Sequence, residues 1–90
     1  MTTKEKVYKF YTDDGHGWLA VKRQELIDLG ILKDITPYSY QKGATVYLEE
    51  DCDLSTFIAA KRAIGQEVNC IPKHTNGRHP IRSYEGIRHV

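Results

Sequence analysis

Two early stretches of the chain are mostly apolar and bounded by polar residues. Val7-Tyr8-Lys9-Phe10-Tyr11 is aromatic and β-branched, and Trp18-Leu19-Ala20-Val21 has similar character, so both predict strands. Thr12-Asp13-Asp14-Gly15-His16-Gly17 between them is turn chemistry, with carboxylates that bond nearby backbone and glycines free to bend it. The pair predicts a hairpin. Gln24 to Leu29 then carries Leu26, Ile27 and Leu29 ahead of Gly30, the pattern of a two-turn helix stopped by glycine. Ile31 to Ile35 adds a further turn before Thr36-Pro37.

Tyr38-Ser39-Tyr40 and Thr45-Val46-Tyr47-Leu48 flank Gln41-Lys42-Gly43-Ala44. A four-residue loop with glycine third predicts a second hairpin on a type I turn with a bulge. Its alternation places Tyr38, Tyr40, Val46 and Leu48 against the core. The clearest helix spans Leu54 to Ile64. Asp53 is a suitable N-cap, Leu54, Phe57, Ile58, Ala60 and Ile64 form one apolar face, and Lys61, Arg62 and Gly65 mark the end. Val68-Asn69-Cys70-Ile71 predicts another strand. Asn76-Gly77 is a two-residue hairpin signal, weakened by Pro72 and Pro80. Residues 85–90 read as a loosely held tail. The expected fold is therefore one small α+β domain over residues 1–90, an antiparallel sheet with two helices on one face, in the order ββα-ββα-β(β).

Composition narrows the class of protein. Ninety residues hold 13 Lys+Arg against 12 Asp+Glu, and 40% are hydrophobic, too apolar and too nearly neutral for a disordered chain. No apolar run approaches the ~20 residues of a membrane span, and the polar start is no signal peptide. No membrane association is expected. Cys52 and Cys70 allow one disulfide at most; buried free thiols in a cytoplasmic protein are the expectation. Around Cys52, four carboxylates disfavour the thiolate.

Four features carry candidate chemistry. The run Glu49-Glu50-Asp51-Cys52-Asp53 lacks the spacing of a calcium loop. It is either helix-start chemistry or an acidic surface for a protein partner. His16 and Trp18 beside the first turn extend such a surface if the indole is exposed. Cys70, His74 and His79, with Cys52, invite a zinc reading. In the predicted hairpin, however, His74 faces His79 while Cys70 lies roughly 13 Å up the strand, at about 3.3 Å per residue. Zinc bonds are only about 2.0–2.3 Å long, so no metal and no cofactor are expected. The fourth feature is the basic C-terminal third. Residues 61–90 hold six Lys/Arg against two acids, whereas residues 1–60 hold seven against ten. Lys73, Arg78, Arg82 and Arg88 are the candidate phosphate contacts, with Tyr84 for stacking. Catalysis has little support. Ser39, Ser55 and Ser83 lack a nucleophile elbow, and Asp13, Asp14 and His16 form an acid/base cluster only if a pocket accompanies them.

At Gly15-His16-Gly17-Trp18-Leu19, Leu29-Gly30-Ile31, Tyr38-Ser39-Tyr40 and Val46-Tyr47-Leu48-Glu49-Glu50-Asp51-Cys52-Asp53, the chain resembles small uncharacterised proteins encoded by bacteriophages and prophages. The resemblance spans residues 7–64 and carries over no catalytic or binding residue. It implies an accessory protein in the cytoplasm of a bacterial host, where such proteins often bind a host component stoichiometrically. The leading expectation is a non-enzymatic binder of a host protein through Glu49, Glu50, Asp51, Trp18 and His16, possible targets including a defence or regulatory system. A nucleic-acid-binding accessory protein is the alternative, and a small enzyme a weaker third.

Overall fold

The computed structural model describes residues 6–89; the polar start before Lys6 and the last tail residue lie outside them. Strands β1 (Val7–Thr12) and β2 (Gly17–Lys22) form the first hairpin, with Phe10 opposite Leu19 and Tyr11 opposite Trp18. Helix α1 (Arg23–Asp28) follows without a linker, and a 3₁₀ turn at Leu32–Asp34 leads to β3 (Tyr40–Lys42) and β4 (Thr45–Glu49). Helix α2 (Leu54–Ala63), β5 (Asn69–His74), a 3₁₀ turn at Pro80–Ser83 and the short β6 (Glu85–Gly86) complete the chain. The element order is ββα-ββα-ββ, in an α+β fold.

The six strands lie in the order β5-β1-β2-β4-β3-β6. All neighbours are antiparallel except β1 and β5, which run parallel with Val7 opposite Asn69 and Thr12 opposite His74. The expected Asn76-Gly77 hairpin does not form. Asp14 takes the Gly77 N–H with its carboxylate at 2.9 Å, and Pro80 opens the second 3₁₀ turn, where its missing N–H costs no ladder bond. Pro72 likewise suits an edge strand. His74 therefore faces Thr12, its Nδ1 2.8 Å from Thr12 Oγ1, while His79 packs against Tyr11 and Trp18.

Both helices cover one face of the sheet. Tyr8, Leu19, Val21, Val46 and Leu48 point to it and enclose Leu26 of α1 and Phe57 of α2, with Leu32 and Ile35. The Tyr8 and Phe57 rings meet edge to face at 5.3 Å. A polar knot ties the same elements together. Glu25 accepts from Tyr8 Oη at 2.8 Å, Lys61 Nζ at 2.7 Å and Lys6 Nζ at 2.8 Å. Burial raises the Glu25 pKa, but hydrogen bonds from Lys6, Lys61 and Tyr8 outweigh it and hold the carboxyl below its ordinary value.

The second hairpin has a register different from the expected one. Its loop is the two residues Gly43-Ala44, with Gly43 at φ 58°, the glycine-first arrangement of a type II′ turn. A shift of one position exchanges the faces. Gln41 therefore shares the helix-side face with Val46, Tyr40 stands on the outer face opposite Tyr47, and Tyr38 is 68% exposed instead of buried.

The C-terminal segment is a strap, and it includes residues 85–89, where a loose tail was expected. It crosses the outer face with Ile81 fully buried, pairs Gly86 with Tyr40, and turns Ile87 onto the helix-side core. Arg88 N–H then donates to Gln41 Oε1 at 3.1 Å, and His89 Nε2 lies 2.6 Å from the Ile35 carbonyl. Both cysteines are free thiols, Cys52 half-buried and Cys70 exposed on β5, where buried positions were expected for both. Among the described residues no helix is long and apolar enough to cross a membrane.

Asp53 occupies the N-cap position of α2 but does not cap it. Its backbone is already helical, at φ −108° and ψ −20°, whereas a capping residue sits in the extended region. The buried carboxylate instead accepts from Thr36 N at 2.9 Å, Thr36 Oγ1 at 2.8 Å and Ser39 Oγ at 2.5 Å. Asp53→Ala is thus expected to lower stability by about 3 kcal/mol, since it strands buried donors beside a lost charge. Loss of a cap alone costs about 0.5–2 kcal/mol. Urea unfolding of the two proteins distinguishes these magnitudes.

Candidate functional site

The site is built where the first turn, the end of β4 and the strap meet on the outer face. Asp13 organises it. Its Oδ1 accepts from Gly15 N and His16 N at 3.0 and 2.9 Å, shaping the turn, and its Oδ2 accepts from His79 N at 3.0 Å. Arg82 grips the same carboxylate with two bonds, Nε at 2.6 Å and Nη2 at 2.9 Å. The Arg82 guanidinium, aided by the backbone of His79, Gly15 and His16, holds the Asp13 carboxyl far below the usual carboxylate range against the opposing effect of burial.

Gly17 follows the turn because the chain runs too close to a ring for a side chain. A Cβ there would lie 2.7 Å from Phe10 Cζ. On its other side β2 pairs with β4, where Glu50 N–H donates to the Gly17 carbonyl at 2.9 Å and Trp18 stands across from Glu49. Trp18 is only 2% exposed. It is packed between the Arg82 guanidinium, 5.6 Å from its ring, and the rings of His16, Tyr40 and His79 at 6.0–6.4 Å. Its buried Nε1–H finds no acceptor among the described residues.

A cleft of about 360 Å³ opens beside this indole, lined by His16, Trp18, Tyr38, Tyr40, Glu49, Asp51, Cys52 and Arg82. Four of the five residues proposed from sequence for partner contact, His16, Trp18, Glu49 and Asp51, thus share one concavity, and exposed Glu50 adjoins them in the chain. Trp18 is a wall, not an exposed anchor; exposed Tyr38 has that position instead. Glu49 is buried, accepting from Asp51 N at 2.8 Å with His16 Nδ1 3.6 Å from its other oxygen. Burial first, then a hydrogen bond to Glu49 and the charges of Glu49, Asp53 and Asp51, raise the Cys52 thiol pKa. The neutral thiol is a poor nucleophile.

The other candidates disperse. Asp14 bonds Gly77 and lies near His74 while Asp13 faces Arg82, so Asp13, Asp14 and His16 do not converge as an acid/base cluster. Lys73 is on β5 and Arg88 follows β6, at opposite edges of the sheet, about five strand spacings or ~24 Å apart. Arg82 is committed to Asp13, Arg88 pairs with Glu85 at 2.9 Å, and Arg78 is exposed in the loop. Among the described residues no three His, Cys, Asp or Glu side chains gather to hold a metal ion. Comparison with protein families, curated proteins and solved structures finds no significant match.

The Asp13–Arg82 pair sets an acid sensitivity. Unfolding returns the carboxyl to an ordinary pKa of about 3.9, so on acidification the unfolded chain takes up the proton first. The contribution is whole at neutral pH and is lost progressively below about pH 5, continuing toward the depressed native value. Asp13→Asn should therefore melt lower than wild type at neutral pH. Its melting temperature should also fall less between about pH 5 and pH 2.5, as circular dichroism would measure.

Proposed function

We propose that this chain is a non-enzymatic accessory protein of bacteriophage or prophage origin that binds a protein of its bacterial host in the cytoplasm. The contact is the acidic and aromatic cleft, and blocking a defence or regulatory component is the outcome such stoichiometric binding serves. The observation that carries the reading is the convergence of Glu49, Asp51, Trp18 and His16 on one concavity rimmed by exposed Tyr38.

The chemistry of the cleft favours a basic side chain from the partner. Arg82 contributes little free charge because Asp13 already neutralises it. Glu49, Asp51 and neighbouring Glu50 leave the mouth negative, and aromatic rings accept the aliphatic stem and cation of lysine or arginine.

Glu50, Asp51 and Tyr38 are the residues to change, since Glu49 is buried and hydrogen-bonded. Affinity capture from host lysate identifies the partner, which is then titrated in pure form. Charge reversal of both acids, Glu50→Lys with Asp51→Lys, is expected to weaken association at least about tenfold, chiefly through a slower and less salt-sensitive on-rate. Stability should change by less than about 0.5 kcal/mol. Tyr38→Ala should weaken binding in the same way. Undiminished binding by both variants would remove the cleft from the interface.

A further inference from the structure

The outer face has a second region beyond the cleft, bordered by the strap at Tyr84. Strand register arranges it in transverse rows. One row runs Ile71, Lys9, Ala20, Tyr47 across β5, β1, β2 and β4; the next runs Val7, Lys22, Thr45, Lys42 across β1, β2, β4 and β3. Rows on one face are two residues apart, or about 6.6 Å. Ala20 is the small residue among large ones, so the face is hollowed into a groove of about 320 Å³ between Lys9 and Tyr47.

Two properties of the groove belong together. Lys9, Lys22 and Lys42 in these rows, and Lys73 one row further along β5, level with Tyr11, Trp18 and Glu49, are all exposed, and none makes an ion pair among the described residues. No acidic residue occupies either row. Partly exposed Tyr11, Tyr47 and Tyr84 form a continuous aromatic path beside them, with centroids 6.1 and 5.2 Å apart, and Lys42 Nζ lies 4.9 Å from the Tyr84 ring centre. Paired bases hide their faces in the stack, whereas unpaired bases offer them to aromatic rings regardless of sequence. An acidic peptide would use the lysines but has no need of the tyrosines.

We propose that this groove, with its lysine rows and tyrosine path, binds single-stranded nucleic acid: phosphates against Lys9, Lys22, Lys42 and Lys73, bases against Tyr47 and its neighbours. It is a surface distinct from the acidic cleft and from the C-terminal arginines.

The test is fluorescence anisotropy of full-length protein with a labelled oligothymidylate of about 12 nucleotides, within the span of small single-strand platforms. Binding at low salt should weaken with a log–log salt slope of about −2 to −3, since each neutralised phosphate contributes roughly 0.7 on a single strand. The variant Lys9→Ala, Lys22→Ala, Lys73→Ala changes only exposed side chains and should flatten that slope by about 2. Tyr47→Leu, checked for an unchanged fold by its melting curve, should keep the slope and lose about tenfold in affinity. Glu50→Lys with Asp51→Lys should not weaken the oligonucleotide complex, so this proposal can fail while the cleft stands, or the reverse. The proposal is overturned by absence of binding at low salt, by equal affinity for a duplex of the same length, or by full displacement with polyglutamate of equal charge. Binding indifferent to the three lysine changes overturns it as well.

Discussion

A single carboxylate fixes the relation between the two ends of this fold. Asp13 lies in the turn between the first two strands, yet its strongest partner, Arg82, comes 69 positions later. The guanidinium fork matches both carboxylate oxygens, a geometry lysine cannot reproduce. Once Arg82 is held there, its flat face covers Trp18, Ile81 is drawn into the interior, and Tyr84 settles against Tyr47. The cleft owes its depth to that placement, because two of its walls are Trp18 and Arg82 themselves.

The two faces of the sheet are held by different physics. The helix side is an aliphatic and aromatic core locked at its margin by the Glu25 knot, where Lys61 is buried against a carboxylate shared with Tyr8 and Lys6. Removing either partner of such a buried pair is far costlier than losing an exposed one. The outer side is thinner and more polar, built from rings, guanidinium and hydrogen bonds under a strap. Its charge is also divided: the carboxylates gather beside Trp18, and unpaired Lys9, Lys22 and Lys42 lie in the rows beyond. A face of this kind presents opposite fields at its two ends.

Local signals in the chain were sufficient for the element order. Both strands of the first hairpin, the glycine stops at Gly30 and Gly65, and the span of α2 follow from patterns a few residues long. What the residues did not reveal is non-local. Asn76-Gly77 has the composition of a hairpin, but Asp14, far away in sequence, claims its N–H, and β5 finds β1 instead. Tyr38 and Tyr40 read as core because the loop composition implied a bulge, whose extra residue would put them on the face of Val46 and Leu48; the two-residue turn has no bulge, so Tyr40 shares the face of Tyr47. Asp13 reads as ordinary turn chemistry, and nothing near it announces Arg82. For the site, the acidic run and the His16–Trp18 pair were legible as chemistry, but their common concavity depends on Arg82, which read as a phosphate contact beyond a weak hairpin. The lysine rows were not legible, since Lys9, Lys22 and Lys42 come from three segments that only register aligns; Lys73, read from the sequence as a phosphate contact, lies one row away.

The parallel pairing of β1 with β5 also bears on how the chain is made. Partners in that ladder are 62 positions apart. At about 5–20 residues per second, a ribosome delivers β5 several seconds after β1. Until then the outer edge of β1 is an open template for other strands. Val7-Tyr8-Lys9-Phe10-Tyr11 would be a sticky segment in that interval, and Lys9 at its centre is the charge that discourages mispairing. The lysine that faces the groove in the finished fold thus has an earlier task in the nascent one, as gatekeeper of a strand that waits for its partner.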